Sequence, residues 1–163
     1  MQIYYSYIDK YYNNSLLTKR DKERSLGRKI VLDIAKTVYK IDDEIVYDGK
    51  RPHFNNNGIY FSISHSENLV VVAFDEAPVG VDVEFIKPRN FEKLAERYNI
   101  KIETPLDFYK WWTAYEAKYK NPNGKFVTTF ELLPEYICSV AASKSFTLKE
   151  INKKCYEKSN INL

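Results

Sequence analysis

The chain has 163 residues, a formal net charge of +3, and 44% hydrophobic and 15% aromatic residues. That length suits one domain or two small lobes sharing a core, and the apolar content excludes a globally disordered chain. The basic excess is too small to argue for nucleic acid, although it suits an acidic partner or a phosphorylated ligand. The 14 tyrosines fit half-buried strands and lobe interfaces, because their rings are apolar and their tips polar. Cys138 lies in an apolar run and Cys155 in a polar one, so a buried thiol at 138 is expected and a disulfide is not. The N-terminus lacks a basic region followed by a long apolar segment, and no stretch reaches the ~18 apolar residues of a membrane span. The expectation is a soluble, cytoplasmic monomer.

In chain order, Ile3 to Ile8 reads as a first strand and Asn13, Asn14 and Ser15 as a loop. Thr18 or Asp21 caps a helix running to about Tyr39, with Leu26, Ile30, Val31, Ile34, Ala35 and Val38 on its apolar face. Its first turn is dense in charge, from Lys19 to Arg24, which is either a solvated helix end or an anion site. Ile45 to Tyr47 reads as a short strand. The segments from Asp48 to Pro52 and from Asn55 to Gly58 have turn chemistry. Three strands follow: Ile59 to Ser64, Asn68 to Phe74, and Val79 to Glu84.

Asp82 and Glu84 sit two apart on the third of these strands, so their side chains share a face. Adjacent carboxylates repel, and the usual remedies are a bound cation or a raised pKa. Beyond a break at residues 87 to 90, Phe91 to Tyr98 reads as a short helix. Thr104 is the expected N-cap and Pro105 the first residue of a longer helix that ends near Lys120, stopped by residues 121 to 124. Phe108, Trp111, Trp112, Tyr115 and Tyr119 form one broad stripe at helical spacing, expected to be the buried face. Glu116 and Lys120, four apart, border it. Phe126 to Leu132, Tyr136 to Ala142 and Phe146 to Leu148 read as a three-strand meander, and Lys153 onward as a polar tail.

The order strand, helix, strands thus occurs twice. The expected class is α+β: an N-terminal lobe, residues 1–76, and a C-terminal lobe, residues 77–163. A helix bringing one carboxylate to a strand bearing two makes a plausible site for a hard divalent cation.

Three segments, Phe61–Ser66 (FSISHS), Val79–Glu84 (VGVDVE) and Trp112–Lys120 (WTAYEAKYK), together resemble the signature segments of 4'-phosphopantetheinyl transferases of the surfactin-type, single-chain branch. Arg24–Arg28 and Gly49–Pro52 resemble two weaker segments of it. The resemblance implies two pseudo-symmetric lobes, each a small, mainly antiparallel sheet packed with a long helix, and a site at their interface. It also implies transfer of the phosphopantetheine arm of coenzyme A to a serine of an apo acyl or peptidyl carrier protein, releasing 3',5'-ADP. By matched position, Asp82, Glu84 and Glu116 would hold Mg²⁺. His65 and Lys120 would contact the phosphates, with Ser64 beside them. Arg24 and Lys50 would lie near the adenosine 3'-phosphate, and Glu116 would be the general base. The partner implied is a small acidic carrier protein, with no nucleic acid or membrane.

The chain departs from the pattern at Tyr115, where the family has Lys, at Glu67, where it has Gly, and at Arg51, an extra residue in the Gly-Lys-Pro turn. A non-catalytic relative that binds coenzyme A or a carrier protein is the alternative, and a diphosphate hydrolase a third option.

Overall fold

The computed structural model describes residues 1–13, 15–49, 51–55 and 58–157. Lys50, with Asn14, Asn56 and Asn57 of the expected turns, lies outside the described residues. The elements run β1 (Gln2–Tyr7), α1 (Asp9–Tyr12), α2 (Lys19–Thr37), β2 (Ile45–Asp48), β3 (Arg51–Phe54), β4 (Tyr60–Ser66), β5 (Leu69–Asp75), β6 (Val79–Phe85), α3 (Phe91–Tyr98), α4 (Pro105–Lys120), β7 (Phe126–Leu133), β8 (Tyr136–Ala142) and β9 (Asn152–Cys155). The class is α+β.

The same antiparallel unit is built twice. In the first half β5 lies between β4 and β1, and in the second β8 lies between β7 and β6. Each unit thus places its last strand between its first two, and a long helix follows the first strand. β5 is buried along its whole length because both faces are covered. Val70, Val72 and Phe74 join the core under α2, which supplies Leu26, Ile30, Val31 and Ile34. Leu69, Val71 and Ala73 join a second core with Val81, Val83, Cys138 and Val140. An uninterrupted apolar run is what such a doubly covered strand requires.

Both long helices start as their sequences dictate. Thr18 Oγ1 accepts from the Asp21 N–H, and a reciprocal capping box joins Thr104 and Asp107 ahead of Pro105.

Four expectations change. Arg51–Phe54 is not merely a turn but the second strand of a hairpin with β2, entered through Gly49 in the left-handed region (φ +59°). Pro52 is tolerated because this two-stranded sheet is all edge. Phe146–Leu148 is not a strand; Glu150 instead accepts from both the N–H and the hydroxyl of Thr147. Residues 153–155, expected in a polar tail, belong to β9, which pairs parallel to β1 and is flanked by buried Ile151 and Tyr156.

The buried face of α4 is Phe108, Tyr109, Thr113 and Ala117. Trp111 and Trp112 are half-buried, and Tyr115 and Tyr119 are exposed. The C-terminal half of that face is small because α4 there lies almost against β6: a Cβ on Gly80 would stand 2.1 Å from the Ala117 carbonyl oxygen.

Candidate functional site

The alternation of β4 sends Phe61 and Ile63 towards the core under α2, and Ser62, Ser64 and Ser66 towards β6. Ser64 is buried, and its hydroxyl donates to Asp82 Oδ1 at 2.9 Å. Ser66 donates to Glu84 Oε2 at 3.0 Å, the oxygen that Arg89 Nη2 approaches at 3.7 Å. Ser64, expected beside the phosphates, is therefore turned to the first carboxylate.

Lys120, at the last turn of α4, donates to Asp82 Oδ1 at 2.9 Å and to the Val81 carbonyl at 2.8 Å. The expected side-by-side border of Glu116 and Lys120 on a buried stripe is replaced by this link from helix end to strand. Asp82 is 6% exposed, and its Oδ2 is buried with no hydrogen-bond donor.

Burial holds the Glu84 pKa above its ordinary value and the charge of Asp82 adds to this, with the hydrogen bond from Ser66 as the main opposing influence. Glu116 is raised for the same two reasons in the same order, with Lys120 partly countering. The three acids therefore share one electrostatic neighbourhood.

Among the described residues, no group of three or more His, Cys, Asp or Glu side chains is placed to hold a metal ion by itself. The donors nevertheless suit a hard cation. Asp82 Oδ2 is a carboxylate oxygen buried without a donor among the described residues, and Mg²⁺ needs only one or two carboxylates when phosphate oxygens and waters complete its shell.

A cleft of about 1170 Å³ opens beside this cluster, between α2, the β2–β3 hairpin, β4 and the segment after α4. Arg24, His65 and Lys120 all line it, so three of the expected phosphate contacts meet on one cavity. Arg28, Arg51 and His53 add further positive or protonatable groups. Asp82, Glu84 and Glu116 are not in its wall, and Lys120 is the link between cleft and acids. Arg51 donates to the Tyr119 carbonyl at 3.2 Å, which ties the hairpin to the end of α4.

Sequence reasoning passed over Glu23. It is buried in the charged first turns of α2, and its Oε2 lies 3.4 Å from His65 Nδ1. The available signal was its place in the helix: Glu23, Leu26, Ile30 and Ile34 recur at helical spacing and all are buried.

Two departures from the family pattern acquire physical meaning. Glu67 sits at φ +50°, which explains a glycine there; its carboxylate is gripped by Lys19 and Lys87, which hold its pKa down. Tyr115 stacks on Trp111 (centroids 5.4 Å, planes 21°) and Trp112 (5.9 Å, 22°), with Tyr98 against it.

No protein-family model matches the chain. Parts of it are similar to curated 4'-phosphopantetheinyl transferases, and these similarities support that superfamily. A stretch of 111 residues is 35% identical to the 4'-phosphopantetheinyl transferase psf-1 of Bacillus pumilus, covering 58% of this chain and 47% of that protein. Over 91 residues it is 34% identical to Sfp of Bacillus subtilis, covering 52% and 40%. Over 80 residues it is 31% identical to HetI of a Nostoc species, covering 41% and 34%. The chain thus spans less than half the length of each of these relatives.

Proposed function

We propose that this protein moves the 4'-phosphopantetheine arm of coenzyme A onto a serine of an apo carrier protein, as a member of the surfactin-type branch. The observation that carries the reading is Lys120, which belongs at once to the wall of a basic cleft and to the carboxylate cluster. The cleft, about 1170 Å³, is somewhat larger than ordinary small-molecule sites of ~300–1,000 Å³, as suits a nucleotide-sized ligand. Arg24 and His65 suit its phosphates; Lys50 is assigned with them from the sequence alone.

In the transfer the serine oxygen forms a bond to the arm's phosphorus, and the bond from that phosphorus to the bridging oxygen breaks. 3',5'-ADP leaves with the bonding electron pair. Glu116, with its raised pKa, accepts the serine proton. Lys120 and His65 lie where charge grows on the phosphate oxygens. Asp82, Glu84 and Glu116 would hold Mg²⁺, which when bound offsets the diphosphate charge. The partner is a small acidic carrier protein, steered by the basic cleft. The setting is the cytoplasm and the acting form a monomer. Among the described residues no helix is long and apolar enough to cross a membrane.

The test is transfer of a labelled coenzyme A arm to a panel of apo carrier proteins, with and without Mg²⁺. Wild-type protein transfers only with Mg²⁺, and Asp82→Ala loses activity by on the order of 10²-fold or more. Full activity in Asp82→Ala overturns the metal role.

A second reading, a relative that binds coenzyme A or a carrier without turnover, is favoured by Tyr115 and by the engagement of Asp82 with Lys120. It predicts calorimetric binding with a blank transfer assay, and recovery of turnover in Tyr115→Lys.

A further inference from the structure

Among the described residues β6 is hydrogen-bonded within its sheet only to β8, and β4 only to β5, so each presents an open edge. Buried edge groups need partners. Those of β6 find them in side chains. The N–H groups of Val81, Val83 and Phe85 donate to the hydroxyls of Ser62, Ser64 and Ser66 at 3.0, 3.2 and 3.0 Å. The match is one of periods: alternate residues on both strands repeat every ~6.6–6.8 Å, so three serines in β4 meet three amides in β6 without slippage. The carbonyl of Val81 on the same edge takes Lys120.

Two of the three hydroxyls have a second task. Ser64 and Ser66 accept from the backbone and donate to Asp82 and Glu84, while Ser62 bonds only the backbone amide among the described contacts. A serine hydroxyl has one proton, and at 64 and 66 that proton goes to a carboxylate.

We infer that this serine seam, besides joining the two sheets, fixes the carboxylates of Asp82 and Glu84, and that Ser66 is the positioning residue for Glu84. Ser66 locks one oxygen of Glu84 against the strand edge and so sets where the other can reach. Ser64 does the same for Asp82, whose Oδ2 is then left without a donor. The inference rests on the reading of these acids as holders of a divalent cation, and it adds a requirement that the acids alone do not express.

Ser62→Ala and Ser66→Ala each delete one seam bond, but only Ser66→Ala also frees a carboxylate. Mn²⁺ is the probe, titrated with coenzyme A present and followed by the electron paramagnetic resonance signal of the free ion. Thermal melting is recorded alongside. The expected result is a similar loss of melting temperature in both variants. Mn²⁺ affinity falls about tenfold or more in Ser66→Ala, as for other residues that orient metal ligands, stays within twofold of the parent in Ser62→Ala, and recovers in Ser66→Thr, which restores the hydroxyl. If Ser66→Ala fails to fold, Ser66→Thr and Ser66→Cys carry the comparison, and the inference requires the hydroxyl variant to bind Mn²⁺ more tightly than the thiol variant. Equal affinity in Ser62→Ala and Ser66→Ala, with the parent binding Mn²⁺, overturns the positioning role alone. A parent that binds no Mn²⁺ overturns the cation reading and the inference together.

Discussion

α2 meets its sheet through large side chains, Leu26, Ile30, Val31 and Ile34, whereas α4, beyond Phe108 and Tyr109 in its first turns, meets its sheet through Thr113 and Ala117, with Gly80 opposite. The strand topology is the same in both halves, so the difference lies in the spacing. Large side chains hold a helix off a sheet and fill the gap with apolar area. Small ones let backbone approach backbone, and α4 then ends close enough for Lys120 to reach the Val81 carbonyl and Asp82. One half is packed for stability, and the other is packed tightly enough to bring charged groups together.

The sharpest way to break this contrast is Gly80→Ala. Its Cβ meets the Ala117 carbonyl oxygen at 2.1 Å and the Asn121 nitrogen at 2.9 Å, both backbone atoms that cannot step aside. The expected loss is at least about 3 kcal/mol by urea unfolding, together with weakened Mn²⁺ binding. On the other side, Ile30→Ala leaves a cavity under α2 and costs about 3 kcal/mol, yet folded protein keeps its Mn²⁺ affinity, because the acids stand on β6 and α4, bonded by Ser64 and Ser66, and none is on α2. Gly27→Ala refines the point. Its Cβ meets side-chain methyls and no backbone, Ile63 Cγ2 at 2.9 Å and Val70 Cγ1 at 3.6 Å, and the helix gains propensity, so stability stays within about 1 kcal/mol of the parent.

The contrast between halves explains which readings of the sequence held. Alternation in FSISHS and in VGVDVE was enough to place β4 and β6 and to put Asp82 and Glu84 on one face. The α4 stripe held at Phe108 and misled beyond it, because Trp111, Trp112, Tyr115 and Tyr119 are the large residues of that stretch. The largest residues take the buried face only when the helix stands well off the sheet, and the stand-off is set by Gly80, outside the helix. The same distance decides that Lys120 takes Asp82. Glu23 stayed hidden in a run of charges, since burial of one carboxylate among six charged side chains depends on where α2 passes β4.

The acids also carry a pH signature. In metal-free buffer Glu84 has a folded pKa above its unfolded value. As pH rises the unfolded chain therefore releases this proton first, and stability falls from the unfolded pKa up to the folded one. Glu84→Gln removes that loss. Its melting temperature exceeds the parent's at about pH 8, and the gain disappears below about pH 4, where both states are protonated. A gain of equal size at both ends of the range would contradict burial as the cause.

The smallest effect concerns Glu67. Glu67→Ala keeps the left-handed backbone and loses Lys19 and Lys87, whereas Glu67→Gly loses the lysines and relieves the backbone. The glycine variant is expected to be the more stable of the two by about 1 kcal/mol in a denaturant titration. Equal stabilities would mean that the left-handed turn costs nothing at this position.

β9 lies beside β1, so Gln2 faces Asn152 and Tyr5 faces Cys155. Just beyond, the hydroxyl of Ser6 donates to the Tyr156 carbonyl, and the Tyr156 hydroxyl donates to Asp33 of α2. In synthesis β1 precedes its second neighbour, β9, by some 150 residues. Until then one side of β1 has no partner, and the nascent protein must be kept from annealing to other chains along that side. Completion of the first sheet is thus timed by the emergence of β9, and truncation ahead of Asn152 would leave a product that keeps most of its core but carries a permanently adhesive edge.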